Sequence, residues 1–432
     1  MRILVRQGRD FMEDNIKTNE SGLFSPIFMR LLIPFGFAFF VSTFIGSITS
    51  MIAPHITADF GLSPAQLGGF ISINLAAFGL AQFPLGVMLD RYGGRSTLIS
   101  MLILAFAGTL LFASAKHYAA LLTARAIIGA GFAGALLSSF KSFTHWLPKR
   151  RLPLAFSIQS FVGGAGFMAA THPVTLALEY FSWRQIMFAS AGAVAISIAM
   201  LAFCAPREDC GEDVRGETLL RSSLEMLRFA ADKRLWYVAP VVTATEAVLY
   251  SFAYLWIGPW MRDAAALDER SAGLMMLLSS AGIAAGYLFN GVIADFCSRW
   301  KCMTWERLYA CTGLLFTALV AGLAFFGGKA APLWCPVMFL STVTMISFPI
   351  IGRLFDAAET GRVFSLLNFI IFAASFLMQW LVGVILNFYP VSGGHFSPDG
   401  YRAALLAVFA VNAAAALHLC IYLPKIEKLR KF

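Results

Sequence analysis

Gly86-Val-Met-Leu-Asp90-Arg91-Tyr92-Gly93-Gly94-Arg95 is the stretch on which the reading of this chain turns. An apolar run with almost no charge precedes it and another follows. Asp90 and Arg91 therefore fall at a membrane surface, in a tight turn between two spanning helices. An echo stands 205 residues on (295 − 90), at Gly291-Val-Ile-Ala-Asp295-Phe-Cys-Ser-Arg299. Again a glycine precedes an aspartate by four positions, a basic residue follows, and a long apolar run leads in. Two copies at corresponding places point to a duplicated membrane bundle, in which a solute site lies between the repeats near the bilayer midplane.

The rest of the chain agrees. Of 432 residues, 59% are hydrophobic and 13% charged, against about 25% charged in a soluble domain. The net charge of +9 does not indicate nucleic acid, because the basic residues gather in alternate loops, which is a topology signal. Twelve runs of roughly 20 apolar residues are expected to span: 31–54, 65–88, 96–115, 118–145, 152–176, 184–204, 236–259, 271–294, 306–326, 332–354, 362–388 and 401–423. They divide the chain into a polar tail (1–30), a six-helix bundle (31–205), a linker (206–234), a second six-helix bundle (235–424) and a short tail (425–432). Apolar residues recur at helical spacing from Glu217 into the linker, as in an interfacial amphipathic helix. About 25 Lys and Arg lie on the side of the tails, linker and even-numbered turns and about six on the other, which puts both termini in the cytoplasm. Cys204, Cys210, Cys297, Cys302, Cys311, Cys335 and Cys420 show no metal-like clustering, and read as reduced packing residues. No Walker loop, nucleophile elbow or Cys/His metal spacing is found. Neither an enzyme, a cofactor nor a metal is expected.

Gly86-x-x-x-Asp90-Arg91-x-Gly93-x-Arg95 resembles the signature between helices 2 and 3 of the major facilitator superfamily; Gly94 departs from it, since many members carry a second basic residue there. Span 4 carries Arg125-Ala-Ile-Ile-Gly129-Ala-Gly131, similar to the same family's Arg-x-x-x-Gly-x-Gly. Trp146-Leu-Pro148-Lys-Arg-Arg151 resembles its turn after span 4. Ser182-Trp183-Arg184 and Gly400-Tyr401-Arg402 open spans 6 and 12 alike. The antiporter Gly-Pro pair is missing from span 5, which reads Gly163-Gly-Ala-Gly-Phe-Met-Ala-Ala-Thr-His172-Pro173. The resemblance is to bacterial solute permeases of the anion and organic-acid branch. It implies a multi-pass inner-membrane transporter, or symporter, of a small anion or amino acid. The protein would work by alternating access, with protons as candidate coupling ions, and a monomer is expected. A non-transporting receptor or assembly protein that keeps the fold is the rival. The resemblance further implies that Asp90, Arg91 and Arg95 form a cytoplasmic latch. Asp90 would face the first turn of span 11 at Gly361 and Arg362, and Asp295, with Arg299 beside it, would face Arg151.

Ionisable groups within the bilayer are functional candidates by default. Glu246 stands about ten residues into span 7, so about 15 Å deep, near the centre of a hydrocarbon layer about 30 Å thick. Ionised and alone it would be penalised, so it must hold a proton, pair with Lys141 or Arg125, or be reached by water. It is either the proton-coupling group or a carboxyl bonded to Thr243 or a neighbouring helix. Lys141, about 24 Å along span 4 from Arg125, either snorkels to the cytoplasm or meets a substrate anion. Arg125 is tied to gating or proton transfer by the resemblance, and the alternative is a structural contact. Of the uncharged polar residues, Gln159, Tyr250, Tyr254 and Asn368 are the further candidates for the cavity, alongside Asn74, Gln82 and Gln379 as packing groups.

Overall fold

Short polar caps set where the helices begin. In the computed structural model, residues 25–429 are described except 149–150, 208–225, 300–302, 356 and 393–394, and of residues 64, 65, 71, 90, 153, 290–299, 357–361, 392 and 429 only the backbone is described. Ser25 caps span 1, its hydroxyl accepting from the Phe28 amide at 3.4 Å, with Pro26 in the first turn. A serine oxygen and a proline there suit the amides that a helix start leaves free. Ser63 with Gln66, and Ser182 with Gln185, form reciprocal capping boxes at spans 2 and 6. Asp232 caps span 7 through the Arg234 amide at 2.8 Å.

The helices cross as six and six. Span 1 is Pro26–Ser47, continued past Ile48 as Thr49–Phe60. It starts five residues before position 31 because Ser25 and Pro26, not Arg30, supply the start signal. Spans 2 and 3 form one 51-residue helical run, Pro64–Ser114, reversed at Gly93. Span 4 is Tyr118–Phe132 and Ala135–Trp146, span 5 is Leu152–Ala169 and His172–Leu178, and span 6 is Trp183–Phe203. Span 7 is Lys233–Ser251, a π-helical turn Phe252–Trp256, and Ile257–Asp263. Span 8 is Glu269–Arg299, span 9 Trp305–Phe326, span 11 Ala357–Leu386 and span 12 Pro398–Leu429. Span 10 is Trp334–Val343, a 3-10 turn Thr344–Ile346, and Ser347–Gly352. Among the described residues, eleven helical stretches are long and apolar enough to cross a membrane, and one, Trp305–Gly352, holds both spans 9 and 10, turned at Gly327 (φ +56°). Span 12 continues as helix to Leu429, through residues expected as tail. Of the expected linker helix only Met226–Ala231 is described, and it is a 3-10 turn.

The duplication shows in how the helix ends opposite the Gly93 turn are tied. Asp59, at the end of span 1, accepts from Trp183 Nε1 at 3.0 Å and Arg184 Nη1 at 2.7 Å, at the start of span 6. Asp263, 204 positions later (263 − 59), ends span 7 and accepts from Tyr401 Oη at 3.1 Å, at the start of span 12. It also meets a small hairpin of β1 (Val391–Ser392) and β2 (His395–Phe396) through His395 Nδ1 at 2.8 Å and the Phe396 amide at 3.2 Å.

The two bundles meet through small residues. A Cβ on Gly164 (span 5) would stand 2.6 Å from Ala284 Cα (span 8), and one on Gly258 (span 7) 2.8 Å from the Ser50 carbonyl. Spans 2 and 11 touch along most of their length, from Gly68 beside Gly383 to Phe78–Phe372 and Phe83–Phe369, with ring centroids 4.2 and 4.7 Å apart. Small side chains let backbones approach where lipid offers no hydrophobic drive.

Candidate functional site

The turn that anchors the sequence reading is built from two glycines with different physical needs. Gly93 sits at φ 74°, ψ 171°, a region essentially reserved for glycine. Gly94 is forced by crowding: a Cβ there would lie 2.3 Å from the Ser138 carbonyl oxygen and the Ser142 hydroxyl of span 4. This accounts for the departure at Gly94, where a basic side chain has no room. Gly86 faces span 11, its added Cβ 3.9 Å from Ser365 Oγ. Arg95 donates from Nε to the Leu201 carbonyl at 2.9 Å and from Nη2 to the Ala202 carbonyl at 2.6 Å, and Arg30 donates to Cys204 at 3.1 Å. Both arginines thus occupy the last carbonyls of span 6, where a cation offsets the helix dipole. Arg91 is exposed, over the Tyr92 ring, and Arg362 is exposed at the start of span 11. The Asp90, Asp295 and Arg299 side chains lie outside the described residues, and the expected latch contacts with them.

Deeper, the chain gathers a polar set across the bundle interface. Arg125 is fully buried. Its Nη1 donates to the Ile45 carbonyl of span 1 at 3.4 Å, and its guanidinium lies 5.9 and 5.8 Å from the Phe70 and Phe112 ring centroids. Nε and Nη2 have no partner. Next to Ile45, Gly46 is covered by Tyr254 of span 7: a Cβ there would be 2.9 Å from the Tyr254 hydroxyl. One line therefore runs from span 4 through span 1 to span 7, and Tyr254 lies within electrostatic reach of Arg125. Tyr250 stacks edge-on to Tyr254 at 5.5 Å.

Glu246, one helical turn before Tyr250, is completely buried, and neither carboxylate oxygen has a hydrogen-bond partner. Tyr250, Tyr287 and Tyr309 lie within its electrostatic reach. Pairing with Lys141 or Arg125 does not occur in this arrangement: Arg125 points to Ile45, and Lys141 is exposed on Ala135–Trp146. The bond to Thr243 is likewise not formed; the Thr243 hydroxyl is itself unpartnered. A buried carboxyl without a partner is affordable only when neutral, because an isolated buried charge costs far more than a buried dipole.

The remaining candidates divide. Gln159 Nε2 donates to the Phe35 carbonyl at 3.1 Å, and Gln82 Nε2 to Ala133 at 3.2 Å, both tying helices within the first bundle. Gln379 links spans 11 and 7, donating to Ser251 at 3.4 Å and accepting from Trp256 Nε1 at its backbone at 2.9 Å. Asn368 is half-buried on span 11. A cavity of about 190 Å³ opens at the end of the bundles opposite the Gly93 turn, lined by His55, His172, Thr175, Glu179, Glu269 and Arg270. Sequence reasoning missed Tyr287, on the span that ends in the Asp295 echo, and Tyr309, on a span that carried no other signal. Among the described residues no cluster of His, Cys, Asp and Glu could hold a metal ion.

The family model of the Major Facilitator Superfamily matches residues 35–378. The chain belongs to that superfamily. Within it, the hexuronate transporter of Bacillus subtilis is 23% identical over 380 residues, covering 84% of this chain and 88% of that protein. The D-galactonate transporter of Escherichia coli O6:H1 is 23% identical, covering 85% and 89%. A probable sulfoacetate transporter of Cupriavidus necator is 26% identical, covering 68% and 67%. Among solved superfamily folds, an inward-facing, unoccupied bacterial homologue of the human lysosomal transporter Spinster superposes with a TM-score of 0.73 at 16% identity, over 93% of this chain and 98% of that one. A nucleoside transporter superposes at 0.69 and 13% identity, over 90% and 99%.

Proposed function

We propose that this superfamily member carries a small organic anion across the bacterial inner membrane, with both termini cytoplasmic, by alternating access, and that Glu246 carries the coupled proton. The observation that supports this most is that one cation, Arg125, and one partnerless acid, Glu246, are both buried without pairing, on spans 4 and 7, with Tyr250 and Tyr254 between them. Arg125 keeps two nitrogens free at a fork suited to a carboxylate, and the curated relatives include carriers of hexuronate, galactonate and sulfoacetate. A substrate carboxylate drawn to Arg125 brings a negative charge toward Tyr254 and Tyr250, and so toward Glu246. Proton occupancy and anion occupancy are then linked electrostatically, which is what a symporter requires. Asp90, Arg91, Arg95, Asp295, Arg299 and Arg362 would hold the cytoplasmic side shut in one half of the cycle, and Lys141 would stand at the inner mouth. The test is uptake of labelled hexuronate, galactonate and sulfoacetate into vesicles containing the purified protein. Saturable uptake of at least one is expected, lost in Arg125→Gln. Equal leak with and without protein for an extended panel of organic acids would reject the reading.

A further inference from the structure

Span 7 carries Glu246 between two irregular turns. The first lies at Pro240, which has no amide to give. The carbonyl it leaves free, Trp236, accepts instead from His418 Nε2 of span 12 at 3.0 Å. In an unbroken α-helix the Val242 amide would bond the Val238 carbonyl. Here the Tyr309 hydroxyl of span 9 bridges them: it accepts from the Val242 amide at 2.7 Å and donates to the Val238 carbonyl at 2.9 Å. The second irregular turn is the π-helical Phe252–Trp256, a feature frequent at functional sites. It is tied to span 11, with Ser251 Oγ donating to the Ser375 carbonyl at 3.1 Å and Trp256 Nε1 to Gln379 at 2.9 Å. The segment 242–251, bearing Glu246 and Tyr250, is thus bounded by one wedged turn and one widened turn.

We propose that Tyr309 is a positioning residue for Glu246: its hydroxyl holds the turn 238–242 open, so that segment 242–251 moves as a separate element when the bundles rock. Placing the role of Glu246 in this motion rests on the function proposed above; the hinge itself does not. Tyr309 is buried, with 1% of its surface exposed, and its hydroxyl uses its one donor and one of its two acceptor sites on this bridge. Removing the hydroxyl leaves an amide and a carbonyl that are each other's natural partners, so the turn closes rather than losing its bonds. A closed turn stiffens span 7 and moves Glu246 away from its position.

The experiment compares wild type, Tyr309→Phe and Pro240→Ala by hydrogen–deuterium exchange and by transport in vesicles. Exchange in 241–251 is expected to slow about fivefold to tenfold in Tyr309→Phe, the range one hydrogen bond commands, with the melting temperature held. Pro240→Ala, which restores the missing amide and leaves Tyr309 in place, slows it in the same direction. In transport, Tyr309→Phe keeps exchange of substrate at equal concentration but cuts accumulation driven by a pH step about tenfold. Combined with Glu246→Gln it adds no further loss, since neighbours acting through one element are not additive. Unchanged exchange in 241–251 in both variants overturns the hinge. Slowed exchange with full additivity overturns the link to Glu246. If Glu246→Gln alone still accumulates substrate, the proposed coupling fails while the hinge is still read from the exchange data.

Discussion

Asp59 shows what a single side chain contributes at a helix end. The Arg184 guanidinium, and after it the Trp183 indole N–H, hold its carboxyl below the usual carboxylate range. A depressed value in the folded state means that the stabilisation is present above the unfolded carboxylate value, about 3.9, and is lost as pH falls through the folded one. The side chains of the pair are 38% and 42% exposed, so solvent screening keeps the contribution at about 1 kcal/mol or less. Asp59→Asn is therefore expected to lower the melting temperature slightly at pH 7. The difference should shrink toward zero as the pH approaches 3; a difference constant from pH 7 to 3 would contradict this. At the same scale, Glu246 was legible in the sequence because a lone acid in an apolar run announces its burial. Its lack of a partner was not, because that depends on where Arg125 points, and Arg125 turns to the Ile45 carbonyl.

Among the elements, the turn between spans 2 and 3 separates conformation from crowding. Gly93→Ala would force a Cβ into a backbone region costing of order 1–3 kcal/mol. Gly94→Arg, which puts there a basic residue of the kind many superfamily members carry, would drive a side chain into the Ser138 carbonyl, and overpacking against backbone costs about 1–3 kcal/mol or more. Both variants are expected to reduce the melting temperature of the purified protein, and the arginine does not rescue function despite its resemblance to the family pattern. A Gly94→Arg protein as stable as wild type would mean that spans 3 and 4 are not packed this closely. The signature and its spacing announced a tight turn, but nothing in it distinguished a glycine needed for φ from one needed for space. The irregularities of span 7 were half legible in the same way. Pro240 marks a break from sequence alone, whereas the Tyr309 wedge comes from a helix about 70 residues away in the chain (309 − 240), and no local pattern encodes it.

Over the whole molecule, apolar periodicity and charge asymmetry were enough to give twelve crossings in two sets, because lipid allows a spanning chain few alternatives. The ties at Asp59 and Asp263 add a second trace of the duplication. It was visible beforehand only as the similar openings of spans 6 and 12, since each acid's partners lie over a hundred residues away. How the bundles meet could not be read from the sequence: glycines such as Gly164 and Gly258 look like any others until a backbone is found against them. The central claim joins this interface to chemistry, with the buried, partnerless Glu246 exchanging a proton as the bundles rock around a bound anion. Its most direct test is transport by Glu246→Gln in vesicles, read in two modes with one labelled organic acid that the wild type accumulates. The account predicts that the variant still exchanges substrate at equal concentrations but no longer accumulates it in response to an imposed pH step. A variant that accumulates substrate against its gradient as well as the wild type does would contradict it.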